Sequence, residues 1–139
     1  MGRGIGSMYR GSCLCGAVRF EINGRIDDII MCHCSRCRKA QGSAFATNGL
    51  VEESAFTLHG EKTLTGYESA PGNVKYFCSL CGSPMLNRSD KRPGKVRIRL
   101  GSIESDIKER PTAHIFASSK ANWEQIHDDL PQFDGYVPK

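Results

Sequence analysis

No run of about 18 apolar residues occurs in this 139-residue chain, so no segment of it is expected to span a bilayer as a helix. Aromatic residues make up 8% of the sequence and are not interleaved with basic ones as base-stacking surfaces require. The formal charge is only +4, so nucleic-acid recognition is not expected, although a mild positive balance suits a small acidic ligand. Low-complexity tracts are absent, and so is the alternation of strand and helix that marks a parallel α/β sheet. No apolar signal segment opens the chain and the cysteine count of 7 is odd. A disulfide-stapled secreted scaffold is therefore not expected, and a reducing cytoplasm is the expected setting.

What the chain does have is cysteine in an informative arrangement. Cys32, Cys34 and Cys37 lie within six residues and can reach one metal ion without help from the rest of the fold. Cys78 and Cys81, followed by Gly82, form a C-x-x-C-G turn of the zinc-knuckle type, which supplies half a tetrahedral site. The other half is most economically Cys13 and Cys15, because residues two apart on a strand point the same way. The sulfurs then divide as four plus three: one closed set, and one leaving a fourth position for an exchangeable ligand. A second division remains open, with Cys78 and Cys81 joined to Cys32 and Cys34, but it splits a local cluster.

At this length the chain is expected to fold as one domain, burying roughly two thirds of its unfolded surface. Residues 1–9 read as a leader or disordered arm, and 10–139 as the domain. Val18, Phe20 and Ile22 alternate with charged residues and predict a strand that enters a hairpin at Asn23-Gly24. Ile29 to Met31 is an apolar run leading to Cys32. Ser35 to Gln41 predicts a short helix capped by Ser35 and stopped by Gly42, its first N–H groups aimed at the thiolates. Further strands are predicted over Ser43–Val51, Phe56–Gly60 and Lys62–Tyr67, the last two joined by a turn at Gly60-Glu61. Val74–Phe77, Met85-Leu86, Lys95–Leu100 and Ala113–Ala117 follow as strands, then a partly helical stretch over Ser118–Asp129 and an irregular tail. Lys95, Arg97 and Arg99 alternate with apolar residues and read as the solvated face of a half-buried strand. The fold class is mainly β, with one or two short helices.

The blocks Gly11-Ser12-Cys13-Leu14-Cys15-Gly16, Cys32-His33-Cys34-Ser35-Arg36-Cys37-Arg38-Lys39 and Phe77-Cys78-Ser79-Leu80-Cys81-Gly82-Ser83, with the late His114-Ile115-Phe116, Trp123 and Leu130-Pro131, resemble one family. It is the glutathione-dependent formaldehyde-activating enzyme family, also called centromere-protein-V-like. The resemblance covers nearly the whole chain after Tyr9 and rests on the order and spacing of all seven cysteines. It implies a β-tent fold of the Rab-interacting zinc protein type and two zinc ions. Cys13, Cys15, Cys78 and Cys81 would hold a structural zinc, and Cys32, Cys34 and Cys37 a catalytic one. The implied reaction joins glutathione or a similar thiol to formaldehyde or another small carbonyl compound, a carbon–sulfur lyase activity in the reverse sense.

Zinc carrying three thiolates is formally anionic and polarises water weakly, so engagement of an incoming thiol is the expected chemistry. Arg36, Arg38 and Lys39 are the expected contacts for its carboxylates. His33 is expected to point away from the metal, His59 and His127 to lie at the surface, and His114 to act as a ligand-supporting group, a proton shuttle or a satisfied strand histidine. Trp123 is expected in a pocket wall or the core. The competing reading is a non-catalytic, zinc-stabilised protein-binding module, or a carrier of thiol or aldehyde.

Overall fold

A computed structural model describes residues 8–138 as ten strands and one α-helix, with short 3-10 turns between them. The strands are β1 (Tyr9–Ser12), β2 (Arg19–Ile22), β3 (Asp27–Cys32), β4 (Ala46–Glu52) and β5 (Phe56–His59), with α1 (Ser35–Gln41) between β3 and β4. They continue as β6 (Leu64–Ala70), β7 (Asn73–Cys78), β8 (Pro84–Ser89), β9 (Lys95–Arg99) and β10 (Ala113–Ile115). Two sheets result. The small one runs β1-β2-β5 and the large one β10-β3-β4-β9-β8-β7-β6, with β10 parallel to β3 and every other pairing antiparallel.

The period-2 alternation on β2 buries Phe20 and Ile22, which meet Tyr9 and Val18 of the small-sheet region and Ile26, Ile29, Val51, Leu86, Val96 and Ile98 of the large-sheet region. The main core therefore lies between the sheets, and each fully buried aliphatic or aromatic side chain contributes roughly 1.5–3 kcal/mol. A second, smaller cluster of Ile30, Ala46, Ala113 and Ile115 gathers around Cys32 and Cys37, with Phe116 and Phe133 packed against it.

The mainly β class holds, and several local expectations are corrected. Asn23-Gly24 does not close a hairpin: β2 pairs with β1 and β5, and the chain leaves for the large sheet at β3. Gly60-Glu61 does not join two paired strands either, because β5 belongs to the small sheet and β6 to the large one. Alternation identifies a strand and its buried face but is silent on which sheet it joins. Tyr9 belongs to the fold rather than to an arm: it lies in β1, is buried, and its hydroxyl donates to Glu109. Of the remainder of the expected arm, Met8 is exposed and residues 1–7 lie outside the described residues. Trp123 is 67% exposed and anchors no core. The stretch after β10 holds one 3-10 turn, Ala117–Ser119, and no α-helix. The tail instead docks beside β10, where His114 N–H donates to the Pro131 carbonyl and Phe133 N–H to the His114 carbonyl. Among the described residues no helix is long and apolar enough to cross a membrane.

Candidate metal centres

The fold gathers the cysteines into two groups. The Sγ atoms of Cys13, Cys15, Cys78 and Cys81 lie within 4.8 Å of one another, and so do those of Cys32, Cys34 and Cys37. None of the seven is in a disulfide.

The four-sulfur group is made by two similar turns. After Cys13 the chain reverses so that Gly16 N–H donates back to the Cys13 carbonyl, and after Cys78 the Gly82 N–H donates to the Cys78 carbonyl. Both glycines have φ near +80°, a region other residues enter at a cost, which explains the glycine that closes each turn. Ser83 ties the turns together, its Oγ accepting from Leu14 N–H at 3.0 Å and donating to Cys81 Sγ at 3.2 Å. That hydroxyl, followed by the Ser83 backbone N–H, lowers the Cys81 thiol to about 5. Val18 N–H donates to Cys13 Sγ at 3.3 Å. The Cys13–Cys15 and Cys15–Cys78 sulfur separations are 3.7 and 3.8 Å. Those lengths match the roughly 3.8 Å edge of a tetrahedron whose sulfurs stand about 2.3 Å from a central zinc. They far exceed a disulfide's roughly 2.05 Å. The donor set and its spacing fit a metal.

The three-sulfur group is built where β3 runs into α1. Cys32 is the last residue of the strand, Cys34 caps the helix and Cys37 lies in its first turn. The cap is Cys34 rather than the expected Ser35: its Sγ accepts from Cys37 N–H at 3.3 Å. Ser35 faces solvent, and Gly42 closes the helix as predicted, with φ of 66°. Hydrogen bonds from the Cys32 and Cys37 thiols, then from backbone N–H groups, lower the Cys34 thiol well below its usual range. The Cys32 thiol is raised by its neighbours Cys34 and Cys37 and by burial. Among the described residues no histidine or carboxylate brings a fourth donor to the three sulfurs.

His33, between two of these cysteines, is fully buried and turned away from them. Its Nε2 lies 2.8 Å from His114 Nδ1, and His114 Nε2 lies 3.0 Å from Asp128 Oδ2. The carboxylate accepts, so His114 carries its proton on Nε2 and, when neutral, accepts through Nδ1 from His33 Nε2–H. His33 Nδ1 is then a bare acceptor, buried without a partner. Burial, then the His114 ring, lowers the His33 pKa and keeps that ring neutral. His59 pairs with Glu21 at the surface, and His127 is exposed.

Arg36 and Lys39 are exposed on α1. Arg38 is half-buried, with Nε donating to the His33 carbonyl at 3.4 Å. None of the three lines either of two cavities beside the helix, one of about 630 Å³ and one of about 210 Å³. Arg99 lines both. It is 3% exposed, which corrects the reading of the Lys95–Arg97–Arg99 stripe as a solvated face. Alternation showed that these side chains share a face, whereas the cover supplied by the rest of the fold has no signature inside β9.

The sequence profile of the glutathione-dependent formaldehyde-activating enzyme family matches residues 8–119. The chain belongs to that family. A Halomonas elongata protein provisionally named glutathione-dependent formaldehyde-activating enzyme is 30% identical over 128 residues, covering 86% of this chain and 81% of its own length. An Aspergillus flavus protein with the same provisional name is 27% identical over 135 residues. The match takes in 95% of this chain and 60% of that longer protein. In fold, a crystal structure of a Rhodobacter sphaeroides protein is similar with a TM-score of 0.60 and 21% identity, covering 88% of this chain and 98% of that one.

Proposed function

We propose that this protein is a two-zinc, carbon–sulfur lyase-type enzyme of the reducing cytoplasm. It would join a small thiol, glutathione or a similar one, to formaldehyde or another small carbonyl compound. Cys13, Cys15, Cys78 and Cys81 would hold a structural zinc, and Cys32, Cys34 and Cys37 a catalytic one. The observation that carries this reading is the unequal sharing of sulfur: one group has four donors and the other three, with no fourth histidine, cysteine or carboxylate donor beside it among the described residues. A metal at the three-sulfur group would supply a position for an incoming ligand and hold a thiol there as thiolate at neutral pH.

The chain's own residues set the conditions for that chemistry. α1 fixes Cys34 and Cys37 by their spacing of one turn, and β3 brings Cys32 against them from the large sheet. The cover formed by Ile30, Ala113, Ile115 and Phe133 limits water at the buried sulfurs Cys32 and Cys37. In the reaction the thiol sulfur forms a bond to the carbonyl carbon, the C=O π pair moves onto oxygen, and the proton given up by the thiol ends on that oxygen. No oxidant or reductant is needed.

Zinc counting on the purified protein and on a Cys34→Ser variant tests the assignment, with formation of the thiol–formaldehyde adduct followed by exchange NMR. Two ions falling toward one, a retained fold and a rate above the spontaneous one that disappears in the variant are expected. Two bound ions with only the spontaneous rate would leave the carrier or binding-module reading in its place. Unfolding of Cys34→Ser to the same degree as Cys78→Ser would overturn the division into structural and catalytic sites.

A further inference from the structure

The strand registers place a set of polar side chains on one face of the large sheet. Arg99 pairs with Asn48, which pairs with Ile30 two residues before Cys32. One step along β9, Arg97 pairs with Asn87, Asn87 with Lys75, and Lys75 with Tyr67. Residues two apart on a strand share a face, so Cys32, Arg99, Arg97, Asn87 and Lys75 all project to the same side.

Those cations are largely removed from water without a carboxylate to meet them. Arg99 donates through Nη1 to Asn48 Oδ1, and its Nε has no partner. Arg97 Nη1 and Asn87 Oδ1 are likewise buried without partners. The ion pairs of the described residues involve Arg25, Arg88, Lys95, His59 and His114, and none reaches Lys75, Arg97 or Arg99. Burial lowers the pKa of Lys75 and of Arg99, and the thiolates of Cys32, Cys34 and Cys37 pull both back up, which sets these cations within the field of that cluster. Burying an uncompensated charge is strongly unfavourable. Three thiolates around one divalent metal supply a single net negative charge against three cations, so an anionic ligand is needed to complete the balance.

Lys75, Asn87 and Arg99 line the 210 Å³ cavity together, and Arg99 also lines the larger one. The ammonium of Lys75 and the free Nε–H of Arg99 suit a carboxylate, whereas Asn87 Oδ1 suits an N–H. A carboxylate with a neighbouring N–H is the end group of an amino acid or peptide. We propose that Lys75, Asn87 and Arg99 form an anion subsite beside the three-sulfur cluster that receives the carboxylate and adjacent N–H of an amino-acid-type thiol. This rests on the reading of that cluster as the place where a thiol is engaged, and it moves carboxylate recognition from the helix cations Arg36, Arg38 and Lys39 to the sheet.

Isothermal titration of the zinc-loaded, full-length protein with three probes tests it: glutathione, its diethyl ester (sulfur free, carboxylates neutral) and S-methylglutathione (sulfur blocked, carboxylates free). Charge-assisted contacts of this kind make the diethyl ester bind about ten- to a hundredfold more weakly than glutathione. Lys75→Met should weaken glutathione by about tenfold or more while changing the diester by less than about twofold. Arg99→Lys, which keeps the charge and loses the Nε donor, should fall between wild type and Lys75→Met. Thermal melts verify that the variants fold. S-methylglutathione separates the two readings. If it matches glutathione on wild type and still weakens in Lys75→Met, the subsite stands and thiol engagement at the cluster fails. Equal affinity of wild type for glutathione and its diester, unchanged glutathione affinity in Lys75→Met, or no glutathione binding to wild type overturns the subsite.

Discussion

Two sulfur clusters of the same element chemistry are built here on opposite plans. At Cys13, Cys15, Cys78 and Cys81 two glycine-closed turns face each other across the junction of the sheets, and Cys13 and Cys78 are part of the main core. At Cys32, Cys34 and Cys37 a strand end and a helix start supply the donors, a minor hydrophobic cluster covers them, and the buried Arg99 and half-buried Arg97 and Lys75 lie along nearby strands. The first arrangement is closed in its ligands, and its coordination is inseparable from the packing between sheets. The second is open in its ligands and backed by polar surface. On the proposed reading, completing coordination from the chain would serve folding, whereas leaving it incomplete beside positive charge would serve an incoming anion.

The sharpest way to break this contrast is to remove one donor from each cluster. Cys78→Ser strikes a fully buried core residue and should abolish the cooperative thermal transition, because a structural zinc site contributes on the order of 10 kcal/mol of folding energy. Circular dichroism melts check it, and a Cys34→Ser protein should keep its transition under the same conditions. Next in size, a colorimetric chelator should withdraw metal in two phases, with the fast phase missing from Cys34→Ser. Phases of equal rate would make the clusters equivalent. A finer test compares Cys34→Ser with Cys34→Ala. Serine replaces the lost cap at α1 and alanine does not, so the alanine variant should be less stable than the serine variant by about 1 kcal/mol in denaturant titrations.

The smallest expected effect concerns the chain Asp128–His114–His33 beside the open cluster. The hydrogen bond from His114 holds the Asp128 carboxyl below its ordinary value. A depressed carboxyl contributes stability above its unfolded pKa of about 3.9 and loses it as pH falls through the lower folded value. Asp128→Asn should therefore flatten the acid limb of the stability curve and lower slightly the melting temperature at neutral pH. An acid limb unchanged from wild type would make the contact energetically silent.

How far the sequence carried these conclusions depends on whether a feature is local. The Cys32–Cys34–Cys37 group, the Gly42 helix stop and the knuckle turn are encoded within a few residues of themselves, and each is present in the fold, whereas joining Cys13 and Cys15 to Cys78 and Cys81 bridges a sequence separation of 63 between Cys15 and Cys78. Strand partners are not local, so Asn23-Gly24 and Gly60-Glu61 look like hairpin turns although the chain changes sheets there. Arg99 shows the same limit at the candidate site. Its alternation with Ile98 assigns it to the opposite face from the core, but the partner that receives its guanidinium there, Asn48 of β4, is 51 residues away in sequence. Asp128 gave no signal, since its role depends on the tail returning beside β10.

One sulfur in the open cluster holds two posts at once. Cys34 is both a candidate donor to the metal and the acceptor that seals the first turn of α1. Electron density drawn from that sulfur toward a cation weakens its hold on the Cys37 amide, and loss of the cation restores it. If a metal fills this cluster, the amide of Cys37 would gauge its occupancy, and its proton resonance should travel with filling and emptying while the distant knuckles stay still.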